Sequence, residues 1–368
     1  MRTVRILGTH GVPAGYGGFE TAAEAVARYL VGNGWRVVVY CQEPDHGQGV
    51  ITDEWEGIER VRIPIARDGW LGTAHFDLVS IGDAVKHRDI CLTFGYNTAI
   101  FNLRQKLAGI PNVINMDGIE WSRARWGKFR QAILWANERI ACWIGDELIA
   151  DHPEIAVYLR GRARAEKITT ITYGAPLITS ADPAPVSALG LTPGGYLTLI
   201  ARPIPENSIL ELVQGFSAQP RPVELVLLGD YGDDPYHQAV RAAASDQVRF
   251  PGAIYDPTVT AALRFHSAGY LHGHTVGGTN PSLVEALGAG NPVVAHDNPY
   301  NRWVAQDAAL YFSDVAGADQ AITRLTSEPG LADTLRLAAR ARHAAEFTWE
   351  HVAGQYEQLL LIAMEGRK

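Results

Sequence analysis

Cysteine is scarce in these 368 residues: only Cys41, Cys91 and Cys142 occur. There is no C-x-x-C pair and no histidine at metal-ligand spacing, which excludes a disulfide framework, a zinc ribbon and a dithiol redox centre. The three read as reduced core residues of a cytosolic protein. No apolar run approaches the roughly 18 residues that a spanning helix needs. The opening MRTVRILGTHG enters a strand-like run instead of the apolar core of a signal peptide. These absences predict a soluble chain that is not exported. Positive charge is also short, with 32 Lys and Arg against 40 Asp and Glu and a net charge of −8, which argues against nucleic acid as a partner. The deficit is uneven. Residues 1–180 hold 20 basic and 20 acidic side chains, so the whole −8 falls on the remainder, and the first half is the better face for anionic partners. Apolar residues at 47% and charged residues at 20% exclude a disordered tail, a collagen-like repeat and a coiled coil. The length favours two domains.

The first 175 residues alternate short β-rich runs with helical patterns, the sign of a parallel sheet covered by helices. The predicted strands are Val4–Gly8, Trp35–Cys41, Ile58–Ile63, Ile90–Phe94, Asn112–Asn115 and Glu147–Ala150. Between the first two, Ala22, Ala23, Val26, Tyr29 and Leu30 form a helical stripe over Glu20–Val31, ended by Gly32 and Gly34. The stretch Gly174–Gly195, rich in Pro, Ser, Gly and Ala, has the composition of a linker or boundary. The alternation then restarts at Tyr196–Ile200, Glu224–Leu228, Val248–Phe250, Gly269–Leu271, Pro292–Ala295 and Ala309–Phe312. Two doubly wound α/β domains are predicted, with ligands at the carboxyl ends of their strands. A final helix, Trp349–Ala363, has no strand after it and can pack on either domain.

Two glycine-rich loops stand out. The first, Gly8-Thr-His-Gly-Val-Pro-Ala-Gly-Tyr-Gly17-Gly18-Phe-Glu20, follows a strand and opens a helix, an arrangement suited to phosphate or a phosphosugar. It lacks the G-x-G-x-x-G register of a dinucleotide site, and the Walker pattern is absent. The second runs from Tyr270-Leu-His272-Gly-His274 through Gly277-Gly278-Thr279-Asn280-Pro281. There Thr279 or Asn280 can cap a helix with proline near its first position, making a second anion cradle. Glu285, just over a turn further on, can accept from a ribose diol. Read alone it is equally an exposed helix glutamate at a favourable dipole end. Arg202 follows a strand directly and can face an anion or sit in an ordinary surface ion pair. The clustered acids of Gly229-Asp230-Tyr-Gly-Asp233-Asp234, at the end of a strand, can be a divalent-metal site or a polar loop. Trp121, Arg123, Arg125, Trp126, Lys128, Phe129 and Arg130 interleave aromatic and cationic side chains. Such a stretch can dock an anionic lipid-linked acceptor, lie on a membrane surface, or be a solvated helix face.

The segment Gly277-Gly-Thr-Asn-Pro-Ser-Leu-Val-Glu285-Ala-Leu-Gly-Ala-Gly-Asn-Pro-Val-Val resembles the donor-site motif of retaining glycosyltransferases of family four. GTHGVPAGYGGFET, with Asn115-Met-Asp117-Gly-Ile-Glu120-Trp121, is similar to the rhamnosyltransferase-like N-terminal domain of a subgroup of those enzymes. The resemblance implies an α/β GT-B fold: two doubly wound Rossmann-like domains facing a central cleft. Residues 1–175 would form the acceptor-side domain, with the helix at 349–368 packing back on it, and residues 176–348 the nucleotide-sugar donor domain. It implies a hexosyltransferase without metal or other cofactor. Such an enzyme would move a sugar, rhamnose from a dTDP donor as the subgroup suggests, to a saccharide or lipid-linked acceptor in bacterial surface polysaccharide synthesis. That work would be done in the cytoplasm, at the inner face of the membrane where the chain touches lipid. The alternatives are a non-catalytic sugar-nucleotide sensor and a nucleotide-sugar epimerase of related fold. Carried over position by position, the resemblance gives Arg202 the leaving diphosphate and puts Asp117 and His274 near the reacting sugar. Donor contacts fall to Gly17, Gly18, Asn207, Ile254, Gly277, Gly278, Thr279, Asn280 and Glu285, and acceptor contacts to Glu120, Trp121, Arg123 and Arg125. Two positions depart from the family pattern: Gly277 stands where a glutamate binds the donor sugar, and Asn207 where a lysine joins the arginine.

Overall fold

The computed structural model describes residues 1–15, 17–123 and 126–366. It divides into two compact units, one of Met1–Thr172 with Trp349–Lys368 and one of Tyr173–Thr348.

The first unit runs β1 (Thr3–Leu7), α1 (Gly18–Gly32), β2 (Arg36–Pro44), β3 (Ile51–Trp55), β4 (Ile58–Ile65), α2 (Gly69–Ala84) and β5 (Ile90–Phe94). It continues through α3 (Ala99–Ala108), β6 (Asn112–Asn115), α4 (Lys128–Ile144), β7 (Glu147–Ala150), α5 (Pro153–Arg160) and β8 (Ile168–Thr170). Among the described residues these strands form one sheet in the order β3-β4-β2-β1-β5-β6-β7-β8, parallel except for β3. The central strands are buried on both faces, as helices covering a parallel sheet require, so Leu7, Val38, Tyr40 and Cys91 share a core with Phe76 and Ile81 of α2. The antiparallel edge strand β3 is absent from the sequence reading. Its signal is the pair Glu56-Gly57, both at positive φ (52° and 79°), a two-residue hairpin turn between alternating runs.

The second unit holds α6 (Ala184–Ala188), β9 (Tyr196–Ile200), α7 (Ile209–Ser217), β10 (Glu224–Leu228), α8 (Pro235–Ala243), β11 (Val248–Gly252) and α9 (Pro257–Phe265). After these come β12 (Gly269–His272), α10 (Pro281–Gly288), β13 (Val293–His296), α11 (Pro299–Ala305), β14 (Ala309–Phe312), α12 (Val315–Ser327) and α13 (Leu331–Glu346). Its strands are ordered β11-β10-β9-β12-β13-β14, each described pairing parallel. Helix starts follow one local rule. Asp234, Asp256, Asn280 and Asn298 each precede a proline at the first helical position and accept a backbone N–H of the first turn, which satisfies donors that the helix leaves open. The Pro- and Ala-rich stretch before β9 is folded, since Val186 of α6 and Leu191 are buried against the sheet.

In each unit the chain builds outward from one strand, then returns to that strand's other side. The reversal lies between β1 and β5 in the first unit and between β9 and β12 in the second. A crevice opens at the carboxyl ends of such a pair because the following loops diverge to opposite faces.

The last helix, α14 (Trp349–Glu365), belongs to the first unit. Glu357 accepts from the Trp35 indole at 2.8 Å and the Asn33 amide at 2.9 Å, and the buried Tyr356 hydroxyl accepts from Asn115 Nδ2 at 2.7 Å. All three cysteines are free and buried. Burial pushes the Cys142 thiol up to about 11 and that of Cys91 to about 12, so neither is a nucleophile. Tyr356→Phe would leave the Asn115 amide buried without its acceptor and should lower unfolding free energy by about 1–2 kcal/mol. Urea denaturation superimposable on wild type would show that this bond does not hold α14.

Candidate active site

In the second unit three loops meet at the carboxyl ends of β9, β12 and β13. Their meeting point is the backbone of residues 273–275. A Cβ at Gly273 would meet the carbonyl oxygen of Asn207, so only glycine lets the strand end pass the loop after β9. Thr275 donates both its N–H and its hydroxyl to the Glu206 carbonyl, each at 2.9 Å. From the other side, the side-chain amides of Asn298 and Asn301 both donate to the His274 carbonyl at 2.9 Å. The loop that carries the second anion cradle is thus fixed from two flanks.

Around this point lie most of the predicted donor residues. Arg202, two residues beyond β9, is exposed, and its guanidinium has no hydrogen bond or ion pair to a described residue. Asn207 is buried, and its amide donates to the Arg202 carbonyl at 2.7 Å. Its side chain closes the arginine's own loop, so in this state it offers that donor to the Arg202 carbonyl and not to a ligand. Gly277 has φ 122° with open space where a Cβ would go. The glutamate of the motif that the sequence resembles is missing at a position whose backbone disfavours any side chain. Gly278 follows, Thr279 is buried, and Asn280 Oδ1 accepts from Ser282 N and Oγ at 3.1 and 2.9 Å. That cap leaves the start of α10 facing the crevice with its dipole positive.

Glu285 forms an ion pair with Arg264 of α9, the arginine side chain 9% and the carboxylate 28% exposed. One carboxylate oxygen is thus held in place while the group stays open to solvent. His274 stacks on the fully buried His272 with ring centroids 4.4 Å apart. Burial holds His272 well below the usual histidine range, so it is a neutral platform. Ile254 lies at the edge of the core cluster beneath β10.

The first unit treats its predicted residues differently. The His10 N–H donates to Glu20 Oε1 at 3.0 Å and the Ala14 N–H to Glu24 Oε2 at 2.7 Å. A Cβ on Gly17 (φ 130°) would collide with Glu20 Oε2. Carboxylates of α1 hold these two N–H groups of the first glycine loop, and an anion bound at them would have to displace Glu20 and Glu24. Gly17 and Gly18 make the turn into α1.

The acceptor-side residues also turn inward. Glu120 is buried, bonded to the Trp126 indole at 2.8 Å and paired with Arg123 at 2.7 Å. The Trp121 indole donates to Glu138 Oε2 and the Tyr158 hydroxyl, both at 2.9 Å. Their polar groups pin the segment before α4 to α4 and α5, so Glu120, Trp121 and Arg123 each have a protein partner in this structure. Arg125 lies outside the described residues. Asp117 sits half-buried after β6 at φ 53°, its N–H donating to Asn115 Oδ1 at 3.0 Å. A non-glycine residue in that region stores backbone strain, a recurrent mark of functional positions.

One residue was missed. Asp77 of α2 accepts from Thr98 Oγ1 at 2.7 Å in the loop after β5, within electrostatic reach of His10 after β1. It therefore lies at the first unit's point of reversal. Burial raises its carboxyl to about 6. The signal was available: an acid among Phe76, Ser80 and Ile81 on a helix's buried face. Among the described residues, no group of three or more His, Cys, Asp or Glu could hold a metal ion.

Residues 1–176 match the profile of a domain of unknown function, DUF1972, and residues 223–358 that of a glycosyl transferase-like domain. Sucrose-phosphate synthase from Thermosynechococcus elongatus is similar in structure over 100% of both chains, with 18% identity and a TM-score of 0.83. HepE from Anabaena, crystallised with UDP and glucose, shares 16% identity at a TM-score of 0.76, over 98% of this chain and 99% of its own. A trehalose-phosphate synthase from Burkholderia xenovorans, in complex with glucose-6-phosphate, reaches 0.72 at 12% identity over 98% and 100%. The fold is GT-B. No curated protein matches in sequence.

Two variants test the site's construction in this GT-B chain. The folded state keeps a proton on Asp77 that the unfolded chain loses above its usual 3.8, so stability falls as pH rises from about 4 to about 6. Asp77→Asn keeps an acceptor for Thr98 and should be more stable than wild type above pH 6, by on the order of 2–3 kcal/mol. The gap should vanish below pH 4; denaturation curves with a pH-independent gap would refute it. Gly277→Ala should lose about 1–2 kcal/mol through backbone strain alone, and unchanged stability would show that the loop relaxes freely.

Proposed function

We propose that this chain is a retaining glycosyltransferase of the family-four type, moving a sugar from a nucleoside-diphosphate donor to a saccharide or lipid-linked acceptor without a metal ion. The observation that carries the reading is the pinned loop of the second unit. It sets a capped helix start and a half-open carboxylate, both within the stretch that matches a glycosyl transferase-like domain, beside the loop after β9 that carries the solvent-facing Arg202.

In this reading the N–H groups at Gly278–Asn280 and the Arg202 guanidinium receive the diphosphate, and Glu285 accepts from the ribose hydroxyls through the oxygen that Arg264 leaves available. The bond between the sugar's anomeric carbon and the phosphate oxygen breaks while the acceptor oxygen joins the same face. The acceptor proton passes to the departing phosphate oxygen. The protein supplies no nucleophile, only position and preorganised positive charge. His274, on its neutral histidine platform, and Asp117 are assigned to the sugar and the acceptor. With Gly277 bare and Asn207 turned away, Arg202 carries the larger share of charge stabilisation. Rhamnose from dTDP, destined for a surface polysaccharide, is the donor sugar suggested by the N-terminal motif. The complexes of HepE with UDP and UDP-glucose make UDP the first compound to try.

Calorimetric titration in EDTA with UDP, dTDP, GDP, ADP and NAD should show one nucleoside diphosphate binding at micromolar concentration and no response to NAD. With the donor so named, Arg202→Ala should lower turnover by ~100-fold or more, and Glu285→Gln should weaken nucleotide binding about tenfold. Equal turnover in Arg202→Ala would remove the leaving-group role. Activity abolished by EDTA and restored by Mg²⁺ would overturn the metal-free mechanism. Binding without hydrolysis or transfer would identify a sugar-nucleotide sensor instead.

A further inference from the structure

Helix α4 has a second apolar face. Its buried positions are Asn137, Glu138, Ala141, Cys142 and Ile144. On its outer side Phe129, Ile133, Ala136, Ile140 and Trp143 recur at steps of four and three, which aligns them in one stripe. None of the five is buried: Phe129 is 76% exposed, Trp143 69% and Ile133 37%. The stripe continues onto the start of α2, where Trp70 and Leu71 are 56% and 47% exposed. Arg130 joins the two helices, its guanidinium 5.8 Å from the Trp70 ring and 5.5 Å from that of Trp126.

The charges flanking the stripe have one sign. Lys128, Arg130 and Arg139 of α4 are exposed. The helix's single acid, Glu138, is 1% exposed and turned inward to Arg162, Trp121 and Tyr158. At the start of α2, exposed Arg67 and Asp68 offset each other. Exposed aromatic and aliphatic side chains bordered by cations match the boundary between headgroups and acyl chains of an anionic bilayer. A second copy of the chain fits less well, because a twofold axis through the stripe would bring like cations toward one another.

We propose that the outer face of α4, with Trp70 and Leu71, docks this protein on an anionic lipid surface. Phe129, Trp143 and Trp70 enter the headgroup boundary while Lys128, Arg130 and Arg139 meet lipid phosphates. The contact is peripheral, since no described helix is long and apolar enough to cross a membrane. It involves none of the residues assigned to the donor, so it stands or falls apart from the transfer reading.

The test is co-sedimentation of the full chain with vesicles of phosphatidylcholine alone and of phosphatidylcholine with about one-third phosphatidylglycerol. Such vesicles contain no saccharide acceptor, so binding reports the bilayer. The partition constant should be at least tenfold higher on the anionic vesicles and fall as salt rises. The double variant F129E/W143E should lose at least tenfold of it, and Lys128→Gln and Arg139→Gln about fivefold each. Both acidic substitutions are at exposed positions, and unchanged circular dichroism and melting temperature would exclude misfolding. Failure to bind anionic vesicles, or binding that F129E/W143E leaves intact, would overturn the proposal. A dimer in light scattering that the same variant dissociates would assign the face to a second copy.

Discussion

The proposed donor side of this molecule depends on the backbone at residues 273–275 being held still. Most of the groups that would receive a diphosphate here are backbone N–H groups, which have no rotamers to adjust, so their aim is only as good as the loop that carries them. Four contacts supply that aim: the close pass of Gly273 against Asn207, the paired donation of Thr275 to Glu206, and the amides of Asn298 and Asn301 on the His274 carbonyl. The loops involved follow β9, β12 and β13, so the order of strands in the sheet decides which loops can meet. Preorganised donors of this kind need no reorganisation when charge develops, and the proposed transfer, with Arg202 as its cation, relies on that.

The same dependence bears on the two positions, Asn207 and Gly277, at which the sequence departs from the motif it resembles. Asn207 carries no charge, but its amide reaches the Arg202 carbonyl and closes the turn from which Arg202 projects. Gly277 gives up a side chain and gains a φ of 122°, which lets the chain turn sharply ahead of the α10 start. In the proposed reading, both places exchange a side-chain contact to ligand for backbone geometry. Such an exchange keeps a site selective only if its loops are rigid, which the convergent hydrogen bonds provide.

Much of the architecture was legible because it is written in local signals. Alternating buried strands, glycine-ended helices and the Asn-Pro and Asp-Pro starts each follow from short-range physics. The hairpin edge β3 was missed although Glu56-Gly57 marks it, because a short strand at a sheet edge has little apolar pattern of its own. Site residues were harder. The sequence places Glu20, Glu120 and Trp121 beside motifs but does not say which way they point. Glu20 fills the glycine loop, while Glu120 and Trp121 close on Trp126, Arg123, Glu138 and Tyr158. Such partners lie up to 37 residues away in the chain, a separation that no motif encodes. Asp77 shows the converse: a residue without a motif becomes notable once the fold buries it at a point of reversal.

Charge shows most clearly what folding adds to composition. Residues 1–180 hold equal numbers of basic and acidic side chains, which by count predicts an electrically bland surface. Around α4, folding separates the two signs. Asp77, Glu120 and Glu138 are buried, while Lys106, Lys128, Arg130 and Arg139 remain exposed. A buried carboxylate that is paired or hydrogen-bonded contributes little to the field outside, whereas an exposed cation acts over about a Debye length, roughly 8–10 Å in physiological salt. The outer side of α4 is therefore basic although residues 1–180 balance by count. The acids that make this possible also hold the first unit's helices in register, Glu138 by tying α4 to α5 and Glu120 by fixing the segment that leads into α4. The inward carboxylates and the outward cationic stripe are thus two consequences of one choice, made residue by residue along α4.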